Sequence, residues 1–158
     1  MADSGTSDRK IVLGVDASEH SQRAFDWYIK NLCDKERDHL LVIHAHECPS
    51  VSVPYASGSA YFDDVRYLVE KSTKQAKELL ETFGAKCKQH GLNFKLYKEE
   101  SNNPGEVICK LAKNENAQFV VMGSRGVGTL RRTFLGSVSH YCVHHTNIPL
   151  AVVPPPIN

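Results

Sequence analysis

Four-to-five-residue apolar runs alternate along this chain with longer segments whose apolar residues recur every three to four positions. Ile11-Val12-Leu13-Gly14-Val15, Leu40-Leu41-Val42-Ile43 and Phe119-Val120-Val121-Met122 are continuous apolar runs. A strand reads this way only when both of its faces are buried, which is the situation inside a parallel sheet. Between the first two runs, Phe25, Tyr28, Ile29 and Leu32 form one helical face. Val65, Leu68, Val69, Ser72, Ala76, Leu79, Leu80, Phe83 and Cys87 form another, and Val107, Ile108 and Leu111 a third. Ser137–His145 reads as a fourth helix, with Val138, Tyr141, Cys142 and His145 on one side. Leu92, Phe94 and Leu96 alternate with polar residues, as in a half-exposed strand near a sheet edge. Pro149–Val153 is the last strand. The order βαβαβαβαβ predicts a single α/β, Rossmann-like domain, a five-stranded parallel sheet with helices on both faces.

Local punctuation supports these elements. Ser18 caps the first helix. Asp63 or Asp64 caps the longest, which Gly91 ends at its C′ position. Asn103-Pro104 sets a cap before a proline at the first helical position. Residues 47–62, with Pro49, Pro54 and several serines, read as a long loop. The domain runs over 9–154, between a disordered tail at 1–8 and a short tail at 155–158.

Composition narrows the partners. The chain has 158 residues and a net charge of +1. Neither a global positive field nor a basic tail favours nucleic acid or an anionic membrane. Five cysteines, widely spaced and odd in number, read as free thiols in a reducing compartment. With no signal-peptide pattern in Met1–Lys10, the expected location is cytoplasmic, with a nuclear pool also open. Cys109 and Cys142 read as small core hydrophobes and Cys48 as the most exposed thiol.

Ligands of open α/β sheets bind beyond the carboxyl ends of the strands, where strand order reverses. Three strand exits carry informative residues: Asp16, Ala45-His46 and Met122-Gly123. After the last comes Gly123-Ser124-Arg125-Gly126-Val127-Gly128, where missing Cβ atoms let backbone amides approach a ligand. Gly136-Ser137 then opens a helix whose free N–H groups and positive dipole end favour an anion such as phosphate. Ser137 and Ser139 add hydroxyls; Arg125, Arg131 and Arg132 add charge. This is no Walker A loop, since no Gly-Lys-Ser/Thr follows. It is no dinucleotide fingerprint either, because Arg131 stands where the third glycine belongs. On the residues alone it is a phosphate loop or a glycine-containing surface turn.

The spacing Gly123-x-x-Gly126, nine residues, then Gly136-Ser137 resembles the nucleotide motif of the universal stress protein family, in its ATP-binding branch within the adenine nucleotide alpha hydrolase-like superfamily. Val15-Asp16-Ala17-Ser18, Leu41–Ala45, Val120–Gly126, Gly136–Ser139 and Ile148–Pro154 resemble further parts of the same pattern. The resemblance implies that Asp16, with its neighbours Ala17 and Ser18, and Ala45 and Met122 surround adenine and ribose. It implies that Gly123, Arg125, Gly126, Gly128, Gly136, Ser137, Val138 and Ser139 line the phosphates, with Mg2+ carried on them. It also implies a homodimer paired through the last strand, and an ATP-dependent switch or adaptor in the stress response. No catalytic base stands out, so hydrolysis is expected to be slow at most. A true nucleotide-hydrolysing enzyme and a nucleotide-free dimeric scaffold are the competing readings.

The histidines carry less. His44-x-His46 shares one strand face but lacks a third metal ligand. His140 and His144 are an i, i+4 pair without the glutamate of a zinc protease, and read as helix surface. Tyr55, Tyr61 and Phe62 are either a lid that stacks on adenine or ordinary loop anchors.

Overall fold

The structure, a computed structural model, describes residues 8–47, 59–125 and 135–156. In chain order the elements are β1 (Arg9–Gly14), α1 (Glu19–Asn31), β2 (Asp38–His46), α2 (Ser59–Gln89) and β3 (Asn93–Glu100). Then follow α3 (Pro104–Asn114), β4 (Phe119–Gly123), α4 (Ser137–His145) and β5 (Leu150–Val153). The strands form one five-stranded sheet in the order β3-β2-β1-β4-β5, and every pairing is parallel. The α/β fold expected from the alternating pattern is the one observed.

β1 is the centre. It pairs with β2 from Arg9↔Asp38 to Gly14↔Ile43 and with β4 from Ile11↔Phe119 to Gly14↔Met122. Its alternate side chains enter two separate cores. Ile11 and Leu13 pack with Phe25 and Tyr28 of α1 and Leu80, Phe83 and Cys87 of α2. Val12 packs on the opposite face with Ile108 and Ala112 of α3 and Cys142 of α4. The chain runs outward from β1 through β2 to β3, then returns to β4 and β5 on the other side of β1. That reversal is why α1 and α2 cover one face and α3 and α4 the other, given a common crossover hand. Each buried Ile, Leu or Phe in these cores contributes about 2 kcal/mol.

Two boundaries depart from the sequence reading. α2 begins at Ser59, so residues 59–62 belong to a helix and not to the loop expected over 47–62. Asp63 does not cap this helix, because it lies inside it and its carboxylate takes an ion pair from Arg66 at 3.0 Å. Asp64 lies inside the helix as well. Asn103 precedes α3 as expected but does not cap it with its side chain; its amide nitrogen donates to Glu106 at 3.0 Å. Other signals act as read. Ser18 caps α1 by accepting from the Ser21 amide. Gly91, at φ +67°, closes α2 through bonds from its own amide to Lys88 and from the Leu92 amide to Cys87, a Schellman pattern that favours glycine. β3 and β5 are the two edges.

The amino-terminal end of the sheet is held by an ion pair between a half-buried arginine and a buried aspartate. Arg9 and Asp38 sit opposite each other as the first residues of β1 and β2. Arg9 Nε and Nη2 donate to the two Asp38 oxygens at 2.6 and 2.9 Å. The Tyr28 hydroxyl and the Asp34 amide add bonds at 2.8 and 2.9 Å. Burial alone would raise the Asp38 pKa; the Arg9, Asp34 and Tyr28 donors overcome it and hold the carboxyl below its ordinary 3.8. A carboxylate depressed on folding stabilises the fold above its unfolded-state value, and that contribution is lost as pH falls through the folded value. Asp38→Asn leaves Arg9 without its counter-charge and is expected to cost about 3 kcal/mol at pH 7. Urea unfolding at pH 7 and pH 3 checks this: the difference between the two proteins should be large at pH 7 and shrink at pH 3.

Candidate functional site

At the opposite end of the sheet, β1 and β4 part because their following segments go to opposite faces. A cleft of about 400 Å³ opens there. Gly14, Val15, Asp16 and Ala17 form its wall from β1; His44, Ala45, His46 and Glu47 come from β2; Met122, Gly123 and Arg125 come from β4. Gly136, Ser137, Val138 and Ser139 close it from α4, and Pro104 and Ile108 from α3.

Asp16 organises the β1 exit. Its Oδ1 accepts from the Ser18 amide at 2.9 Å, from the Ser18 hydroxyl, and from the Ser21 hydroxyl at 2.8 Å. The Asp16 amide donates back to Ser21 Oγ at 2.8 Å. Ser18 therefore caps α1 while fixing the aspartate, and Ser21, only 4% exposed, braces both. Ser18 itself stands behind Asp16 and does not line the cleft.

The β4 exit is built by close approach. A Cβ on Gly123 would lie 2.8 Å from the carbonyl oxygen and the Cβ of His20. The glycine here lets β4 pass against the first turn of α1. The next residue, Ser124, is 2% exposed. Its amide donates to the Val153 carbonyl at 2.9 Å, and its own carbonyl accepts from the Gly136 amide at 2.7 Å and the Ser139 hydroxyl at 2.9 Å. These bonds pin the start of α4 to the end of β4. The Ser139 hydroxyl thus acts as a brace within the protein, also 3.1 Å from the Gly136 carbonyl. Gly126, Gly128, Arg131 and Arg132 lie outside the described residues, as do Cys48 and Tyr55.

Electrostatically, α4 differs from α1 and α3. α1 and α3 carry Glu19 and Glu106 in their first turns, whereas α4 has no acidic residue there and Gly136 offers no capping side chain. The positive end of its dipole therefore meets the cleft without a compensating carboxylate from its own first turn. Arg125 adds positive charge to the same wall.

The two β2 histidines were undervalued from sequence. Their rings stack on one strand face, 6.1 Å apart, and both line the cleft. His44 Nδ1 donates to the Val15 carbonyl at 2.8 Å, which leaves Nε2 as the acceptor of the neutral ring. Burial lowers the His44 pKa, so that neutral form is favoured. Ser21, Pro104 and Ile108 were also missed; position beyond a carboxyl end was a usable signal for the histidines but not for these. Among the described residues no group of three or more His, Cys, Asp or Glu side chains is arranged to hold a metal. Tyr61 and Phe62 lie in the first turn of α2, away from the cleft wall, and Phe62 is exposed. No described helix is long and apolar enough to cross a membrane.

A central parallel sheet with this strand order, and a glycine- and helix-lined cleft at its switch point, define a Rossmann-like α/β domain. The Universal stress protein family pattern matches residues 8–154, and the chain belongs to that family. It is 27% identical to the Universal stress protein A-like protein of Arabidopsis thaliana, over 94% of this chain and 91% of that one. The universal stress protein UspA from Lactobacillus plantarum superposes with a TM-score of 0.75 at 18% identity, covering 93% of this chain and 98% of that one. A family protein from Arabidopsis thaliana with AMP bound superposes with a TM-score of 0.65 at 25% identity, covering 94% of this chain and 92% of that one.

Gly123→Ala tests the packing at the β4 exit. The methyl group must push β4 from the backbone of His20, which is expected to cost about 2 kcal/mol. An unchanged urea midpoint would mean that the two elements separate freely.

Proposed function

We propose that the cleft binds an adenine nucleotide, ATP with Mg2+ in the cell, and that the protein is a nucleotide-dependent switch or adaptor in the cytoplasmic stress response. The observation that carries this reading is the N-terminus of α4, with no acidic residue in its own first turn, at a cleft at the sheet's switch point. Such a helix end favours phosphate. In this assignment Asp16, Ala17, Ala45 and Met122 surround adenine and ribose. Gly123, Arg125, Gly136, Ser137 and Val138 hold phosphate through amides, hydroxyl and charge, and Ser18 and Ser139 position these walls from behind. Gly126 and Gly128 are assigned to the same phosphate loop on sequence grounds. The AMP held by the Arabidopsis family protein supports the class of ligand. Mg2+ would be carried on the phosphates, where it would screen their charge, since among the described residues no group of three or more His, Cys, Asp or Glu is placed to hold it.

Calorimetry with ATP, AMP and adenosine checks the phosphate contribution. ATP and AMP should bind more tightly than adenosine. Equal affinity for all three, or no binding, would remove the phosphate role of α4. Ala45→Phe, which fills the base end of the cleft, should abolish binding and leave the circular dichroism spectrum unchanged.

Turnover follows from the same residues. No lysine stands in the glycine loop and no side chain is assigned as base, so hydrolysis should run well below about 1 per second. A steady-state rate in the usual enzyme range would favour a hydrolase instead.

The dimer belongs to this proposal too. β5 is an outer strand with β4 on one side, and Leu150, Ala151 and Val152 are half-exposed. Unpaired edge amides and carbonyls favour pairing with a second copy across a two-fold axis. Light scattering should give a dimer for the native chain and a folded monomer for Val152→Lys. A native monomer at micromolar concentration, or a dimeric variant, would assign the edge no such role.

A further inference from the structure

The three histidines of α4 divide into two kinds. His145 is engaged within its own helix: its Nδ1 is 2.8 Å from the Tyr141 carbonyl oxygen, and its ring stacks on the Tyr141 ring at 3.9 Å and 7°. His140 and His144 are not so engaged. Among the described residues neither ring has a hydrogen-bond or ion-pair partner. Both are exposed, whereas Ser139 and Cys142 of the same helix are buried. Their i, i+4 spacing sets the rings side by side across one turn, with centroids 4.6 Å apart and planes at 59°.

That spacing has a chemical meaning. An imidazole nitrogen binds a divalent transition-metal ion at about 2.0–2.1 Å, which puts each ring centroid about 3.2 Å from the ion. Two rings in cis positions, about 90° apart, then have centroids about 4.5 Å from each other, against about 5.2 Å at the tetrahedral angle. The observed 4.6 Å matches the cis arrangement. With no hydrogen bond holding them, both exposed rings can turn one nitrogen toward a shared ion. His144 also stands in the last turn of α4, where the negative end of the helix dipole favours a cation.

We propose that His140 and His144 form a surface chelate for a divalent transition-metal ion of octahedral or square-planar preference, Ni2+ or Cu2+. Among the described residues no group of three or more His, Cys, Asp or Glu is placed to hold a metal, so water takes the remaining positions. The donor type agrees, because imidazole suits these ions whereas Mg2+ prefers oxygen. Neither histidine lines the cleft, and the site does not depend on a nucleotide. The ion ties two successive turns of α4 together and stabilises the folded chain, as any ligand of the native state does.

Ni2+ is the probe. Calorimetry of the full chain with nickel chloride, without nucleotide, should show saturable binding. His140→Ala and His144→Ala should each weaken it by about tenfold or more, because a second donor on the same helix acts at high effective concentration. His145→Ala should bind as the native chain does. Substoichiometric Ni2+ should broaden amide signals of the labelled native protein first around His140 and His144, a readout that needs no variant. Absence of binding would overturn the proposal, as would native affinity in His140→Ala or His144→Ala. An equal loss in His145→Ala, or broadening centred on His44 and His46, would overturn it too.

Discussion

β1 is enclosed on four sides, and the rest of the molecule depends on that enclosure. Its two edges are taken by β2 and β4, and its two faces by α1/α2 and α3/α4. Ile11, Val12 and Leu13 are all 0% exposed. No backbone group in such a strand can be left without a partner at acceptable cost. The registers align the carboxyl ends of β1 and β4 to within one residue, while β2 runs on beside β3 to His46. The segments that follow β1 and β4 diverge there, and the cleft is the space that divergence leaves.

The two ends of the sheet are treated in opposite ways. At the amino end, the half-buried Arg9 and the buried Asp38 and Tyr28 satisfy one another in a closed cluster that offers little to a ligand. At the carboxyl end, Asp16 lines the open cleft while held by Ser18 and Ser21, and the buried Ser124 ties Gly136 and Ser139 in place. Such second-layer bonds position backbone and side chains before any ligand arrives, which lowers the ordering cost of binding.

Much of this was legible in the chain. Buried strands announce themselves by continuous apolar runs, and Leu40–Ile43 and Phe119–Met122 are where those runs place them. The cap at Ser18 and the stop at Gly91 follow from local chemistry. Long-range packing was not legible. Gly123 reads as part of a ligand loop, yet its side-chain space is already taken by His20. Ser139 reads as a phosphate contact, yet its hydroxyl serves Ser124. The start of α2 was misplaced because Asp63 and Asp64 look like caps, while the helix already begins at Ser59, four residues earlier. In each case the deciding contact joins residues distant in sequence or depends on where a neighbouring turn begins.

The central claim is that the switch-point cleft, and no other surface, receives the nucleotide. Amide chemical shifts of the labelled protein, recorded as ATP is added, test it most directly. The account predicts large saturable changes at Asp16, Ala45, Gly123, Ser137 and Val138, with Arg9 and Asp38 at the far end unmoved. Saturable changes confined to another region, or none at millimolar ATP, would contradict it.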